Sequence, residues 1–135
     1  MIALTAVISL ACVAHAEVLP SRTAIDDYVH AEDPSYRWRV VSEERADMGT
    51  HLVVEFVSQR WLTSAEVNRT EWRHWLTIAV PNNVASDVGM LFIGGGSNGG
   101  SPPEGPSSDM RTVAAATNTV AAELRMVPNQ PLVFH

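Results

Sequence analysis

Val88-Gly-Met-Leu-Phe-Ile-Gly-Gly-Gly-Ser-Asn-Gly-Gly100 is the stretch that decides how the rest of the chain is read. Val88 and the run Met90 to Ile93 make a short strand with no polar side chain to turn toward water. That composition predicts a strand buried on both faces, as in a parallel sheet under helices. Gly94, Gly95 and Gly96 follow without a break, so the backbone is free to take positive φ and to lie close to a bound group. Beyond a Pro/Gly stretch, Ser107-Ser-Asp109 reads as a helix start. Strand, glycine loop and helix, in that order, is how α/β proteins present N–H groups at the carboxyl end of a sheet. The chemistry of the chain is expected there.

Downstream, Met110, Val113, Ala114 and Thr117 fall at helical spacing and predict a helix packed on the sheet, with Asn118 as its C-cap. Thr119 to Val127 then reads as a second central strand, parallel to the first through a right-handed crossover. Pro128-Asn-Gln-Pro131 is a loop. Upstream, Ser21 to His30 predicts a short helix or turn, and Asp33-Pro34-Ser35 a tight turn. Three alternating segments follow. Tyr36, Trp38 and Val40 share one face, as do Leu52, Val54 and Phe56, and then Trp72, His74, Leu76, Ile78 and Val80. Asp47-Met-Gly-Thr50 supplies a hairpin break, and Thr63 or Ser64 caps a single turn ahead of Glu66. Short connections make these early strands antiparallel. The fold class is α/β, a mixed sheet with antiparallel early strands and then parallel strands joined by a crossover helix. Such a sheet needs helices on both faces, and the chain offers one clear covering helix. It is therefore expected to be the N-terminal part of a longer protein, the remainder of the same polypeptide completing the sheet.

The first 16 residues stand apart, with no Asp, Glu, Lys or Arg. An apolar run ending in Ala14-His15-Ala16 matches a signal-peptide cleavage site, and it is short for a membrane span of roughly 20 residues. Residues 1–16 are read as a signal peptide and residues 17–135 as one incomplete domain. The location is then secreted or periplasmic, with no membrane attachment after cleavage. Cys12, the single cysteine, leaves with the signal, so the mature chain is held by packing alone. A net charge of −6 with no basic run excludes a nucleic-acid role. Asn68-Arg-Thr70 fits the glycosylation sequon, whose meaning depends on the host.

Several longer stretches resemble one family. Ser58-Gln-Arg-Trp61, His74-Trp-Leu-Thr-Ile-Ala-Val-Pro81, Leu91-Phe-Ile-Gly-Gly-Gly-Ser-Asn-Gly99 and the segment Val120 to Phe134 are similar to the PhoPQ-activated pathogenicity-related proteins, which include autocrine proliferation repressor proteins. The similarity runs from about residue 22 to 134. The resemblance implies a secreted α/β-hydrolase-like protein considerably longer than this chain, with its nucleophile elbow past residue 135.

In such a hydrolase the loop after this strand forms part of the oxyanion hole, where a side chain would block the N–H groups from the developing charge. Gly95 and Gly96 are the candidate donors. Ile93 stands where the lipase motif has histidine. Gly94, Gly96 and Gly99 also fit Gly-x-Gly-x-x-Gly, but Gly100-Ser-Pro-Pro defers the helix that a dinucleotide site needs at the third glycine, so no cofactor is expected. Ser97 follows the wrong strand for a nucleophile and reads as a loop hydroxyl. His30, His51, His74 and His135 show no paired ligand spacing, so no metal is expected, and His74 reads as a core residue. The four tryptophans, Trp38, Trp61, Trp72 and Trp75, could line a ligand groove but read better as sheet packing. Glu123 and Arg125 share a strand face, poised to pair with the rest of the polypeptide. Two functions stay open: a serine-type hydrolase acting on an unknown peptide or ester, and a catalytically silent secreted binding or signalling protein.

Overall fold

A computed structural model describes residues 22–135; the proposed signal peptide and Cys12 lie outside them. Thr23 opens the first helix, α1 (Ala24–His30). The Thr23 hydroxyl accepts from the Asp26 N–H, and the Asp26 carboxylate accepts from the Thr23 N–H at 2.8 Å. This capping box fixes the start of a helix too short to hold itself by propensity. It belongs to a segment ending at Glu32, distinct from the compact unit Asp33–His135.

That unit begins with the expected turn, in which the Asp33 carboxylate accepts from the N–H of Ser35 at 2.8 Å and of Arg60 at 2.6 Å. Three antiparallel strands follow: β1 (Arg37–Ala46), β2 (Gly49–Arg60) and β3 (Glu71–Pro81). Asp47 and Met48 make the two-residue turn between the first pair, with Ala46 opposite Gly49. Thr63 and Glu66 close one turn in the connection to β3, as predicted. The chain then runs through β4 (Met90–Ile93), α2 (Ser108–Thr117) and β5 (Ala121–Arg125). β5 inserts between β3 and β4, giving the order β1-β2-β3-β5-β4. It is antiparallel to β3 and parallel to β4. The sheet is thus mixed, as expected, but mostly antiparallel, with one parallel pair spanned by α2.

The caps of α2 are those the sequence predicts. The Ser107 hydroxyl accepts from the Met110 N–H at 3.3 Å, and Asn118 ends the helix in the left-handed region at φ +52°. Met110 and Ala114 bury against Ala79 of β3 and Ala121 of β5, with Val113 beside them. Two alanines on the sheet let the helix come close.

Three expectations are corrected here. β4 is exposed along its whole length, not buried on both faces. It occupies an outer edge with one neighbour, and α2 lies over β3 and β5 instead of over it. β1, at the other edge, runs on to Ala46 and turns Trp38 and Val40 to solvent. In β3 the deeper face is not the one predicted. Trp75, Thr77 and Ala79 are buried, whereas of the alternate set only His74 is. Both parities of β3 are apolar, so alternation alone does not choose between them.

Candidate functional site

The glycine loop leaves β4 where its pairing with β5 ends, at Ile93 opposite Leu124. The Gly94 N–H still donates to the Leu124 carbonyl at 2.7 Å. The next carbonyls are turned back on the end of β5: Gly95 accepts from the Met126 N–H at 3.0 Å and Gly94 from the Val127 N–H at 3.2 Å. Met126 takes the left-handed region at φ +63°, a cost of about 1 kcal/mol for a residue with a Cβ, and these bonds hold it there. Its side chain is buried with Val53 and Trp75. Further along, Asn98 ties the loop to residues 129–131, its side chain donating to the Asn129 carbonyl at 2.6 Å and to that of Pro131 at 3.2 Å. The Trp75 indole N–H reaches the Gly100 carbonyl at 3.0 Å.

The Gly94 and Gly95 carbonyls are thus committed to the end of β5. No group among the described residues accepts from the N–H of Gly95 or Gly96. A Cβ placed on Gly95 would meet nothing within 4 Å. Both glycines line a cleft of about 320 Å³ with Trp75, Ser97, Glu123 and Arg125. Register explains that company. Arg125 lies opposite Trp75 and Glu123 opposite Thr77, so the four side chains share the face of the sheet that carries α2.

Gly96 sits at φ +128°, where a Cβ is strained, whereas Gly95 lies outside the left-handed range. Gly95→Ala is therefore expected to leave stability unchanged or raise it by up to about 1 kcal/mol. Gly96→Ala is expected to cost about 1–3 kcal/mol. Urea denaturation of both variants checks this; equal losses would show that the loop is not held in this conformation.

The sequence-predicted residues meet the structure unevenly. Gly95 and Gly96 come together at the cleft. Ser97 lines it too, but no hydrogen bond joins its hydroxyl to a histidine among the described residues. Glu123 and Arg125, expected to pair with a remote part of the polypeptide, pair with each other, Arg125 Nε lying 3.2 Å from Glu123 Oε1. Gly99 and the start of α2 at Ser108 are well separated, so no helix N-terminus meets the third glycine. Among the described residues no cluster of His, Cys, Asp and Glu could hold a metal, and no helix is long and apolar enough to cross a membrane.

His74 does occupy the core, on the face opposite the cleft. Its Nδ1 lies 3.2 Å from the Arg125 carbonyl and its Nε2 3.0 Å from the Ser58 hydroxyl. A carbonyl only accepts, so Nδ1 carries the proton and Nε2 accepts from Ser58. Burial pushes the pKa of His74 below the ordinary histidine value, against the opposing pull of the backbone carbonyl of Arg125.

Met126 is the site residue that sequence reasoning did not single out, and Trp75, read there as sheet packing, also lines the cleft. The register of β3 against β5 would have found Trp75. Nothing marks Met126, because methionine carries no signal for a left-handed backbone.

Two comparisons place this chain among known proteins. Residues 25–135 match the family described as PhoPQ-activated pathogenicity-related protein. Autocrine proliferation repressor protein A of Dictyostelium discoideum is 30% identical over 114 residues, covering 84% of this chain and 23% of that protein. The chain thus spans about a quarter of the length of the curated relative it matches. No solved structure matches it.

Proposed function

The chain belongs to the PhoPQ-activated pathogenicity-related protein family, and from that premise we propose that it supplies the oxyanion loop of a secreted α/β-hydrolase-like protein. The reaction is acyl transfer on a peptide or ester bond by a serine-type nucleophile carried elsewhere in a longer polypeptide. As the carbonyl carbon becomes tetrahedral, the N–H groups of Gly95 and Gly96 receive the developing negative charge. One observation supports this above the rest: Gly95 and Gly96, whose N–H groups have no acceptor among the described residues, line a cleft at the carboxyl end of a parallel strand. In this reading residues 1–16 direct export, and the remaining polypeptide pairs with the open edge of β4 and covers its exposed apolar side chains.

A second reading is favoured by the relative's name, which describes an autocrine repressor of proliferation. It makes the protein a secreted signalling or binding protein that keeps the scaffold without the reaction.

The test uses the full-length polypeptide of this family with a fluorophosphonate probe and a panel of acyl esters and peptide amides. The hydrolase reading expects covalent labelling of one serine and turnover. It expects Gly95→Pro, which deletes one donor, to lower kcat by about 10²–10³-fold with the melting temperature monitored in parallel. Neither labelling nor turnover would favour the signalling reading.

A further inference from the structure

The cleft contains one feature that the oxyanion reading leaves unused. Arg125 forms an ion pair with Glu123, Nε lying 3.2 Å from Oε1. No hydrogen bond joins its two terminal nitrogens to another described residue, and its side chain is 37% exposed while that of Glu123 is 13% exposed. The guanidinium is therefore paired with its strand neighbour and part-exposed where it lines the cleft. A fork fixed in this way presents two parallel N–H donors, the geometry that recognises a planar anion bidentately.

The other guanidinium groups on this sheet face are already engaged. Arg39 and Arg73 both pair with Glu55, and Arg73 also lies over the Trp75 ring, 4.7 Å from its centre. Arg125 is thus the cation that the cleft itself offers. Glu123 sets the limit on what it takes. A single negative charge already sits under the loop, close enough that a Cβ on Gly94 would lie 2.9 Å from Glu123 Oε1. Glu123 already balances Arg125, so a ligand carboxylate adds one net negative charge and a doubly charged phosphate two, and the repulsion is greater for phosphate.

We propose that the cleft selects a ligand with a carboxylate beside an acyl group, Arg125 holding the carboxylate while the Gly95 and Gly96 amides receive the acyl oxygen. The proposal rests on the oxyanion reading for the acyl end and adds the substrate class, N-acyl amino acids and peptides cleaved or bound beside a free carboxylate. Arg125 is then the residue that decides specificity.

The experiment titrates the full-length polypeptide of this family, ¹⁵N-labelled at arginine and glycine, with N-acetylglycine, with its neutral methylamide and with inorganic phosphate. N-acetylglycine is expected to bind about ten- to a hundredfold more tightly than the methylamide, the worth of a hydrogen-bonded charge. The resonances of Arg125 Nε–H, Gly95 and Gly96 are expected to move together. Arg125→Lys should keep part of the preference and Arg125→Met should abolish it. The double variant Glu123→Gln/Arg125→Met removes both charges, so that no unpaired carboxylate is left to disturb the fold, and it too should show none. Equal binding of the two acetylglycine probes, a preference surviving in either methionine variant, or tighter binding of phosphate would overturn the proposal. Movement of Arg125 without the two glycines supports the carboxylate assignment and counts against the oxyanion reading. Movement of the glycines alone does the reverse.

Discussion

Gly49→Ala is expected to destabilise the fold by about 3–5 kcal/mol, at the upper end of what single substitutions do. Gly49 begins β2 immediately after the tight turn and is paired on both sides, with Ala46 of β1 and Pro81 of β3. Its φ is +148°, a region that L side chains rarely adopt. A Cβ built there would lie 2.0 Å from the Val80 carbonyl oxygen and 3.0 Å from the Pro81 Cα. Both obstacles are backbone, so no rotamer change relieves them, and β2 and β3 must separate at that end. Urea denaturation followed by circular dichroism measures the loss. A midpoint shift worth less than about 1 kcal/mol would mean that β3 does not cross so close to the turn.

His74→Ala is expected to cost about 2–4 kcal/mol, from the cavity and from the Arg125 carbonyl left without its donor. The same residue gives the wild type a pH dependence with a definite sign. Burial holds the pKa of folded His74 below its unfolded value of about 6.5. As pH falls, the unfolded chain therefore takes up the proton first. The stability that His74 contributes is complete above about pH 6.5, declines as pH drops through that value toward the lowered folded pKa, and is level below it. Carboxylates add their own losses only at more acid pH. Comparing wild type with His74→Gln between pH 7 and 5.5 isolates the effect. The wild type should lose stability across that interval and the variant should not; parallel curves would show that His74 is not buried neutral.

The parts of this structure that were legible in the sequence are those fixed by neighbours along the chain. Ser107 and Asn118 announce α2 because a cap is a hydrogen bond or a backbone conformation within one turn. Asp33 announces its turn, and the meander of β1, β2 and β3 follows from alternation and short connections. What was hidden depends on non-local order. Met90 to Ile93 have the composition of a central strand, yet the insertion of β5 between β3 and β4 leaves them at the margin of the sheet. Trp75 and His74 are both buried, on opposite faces of one strand, and periodicity cannot rank two apolar faces. Gly95 and Gly96, which line the cleft, could be singled out beforehand because glycines are conspicuous. The partner of Arg125 could not, since a pair two residues apart on one strand and an interaction with some remote segment look alike until the register is known.

The contact between Gly94 and Glu123 joins positions far apart in the chain into one heritable character. While the carboxylate of residue 123 lies under the loop, a side chain at residue 94 requires Glu123 Oε1, 2.9 Å from a Cβ built there, to give way. A lineage that exchanged Glu123 for a small residue would lose the grip on Arg125 and, in the same step, release position 94 to drift. Glycine at one site and glutamate at the other are then expected to be kept or lost together.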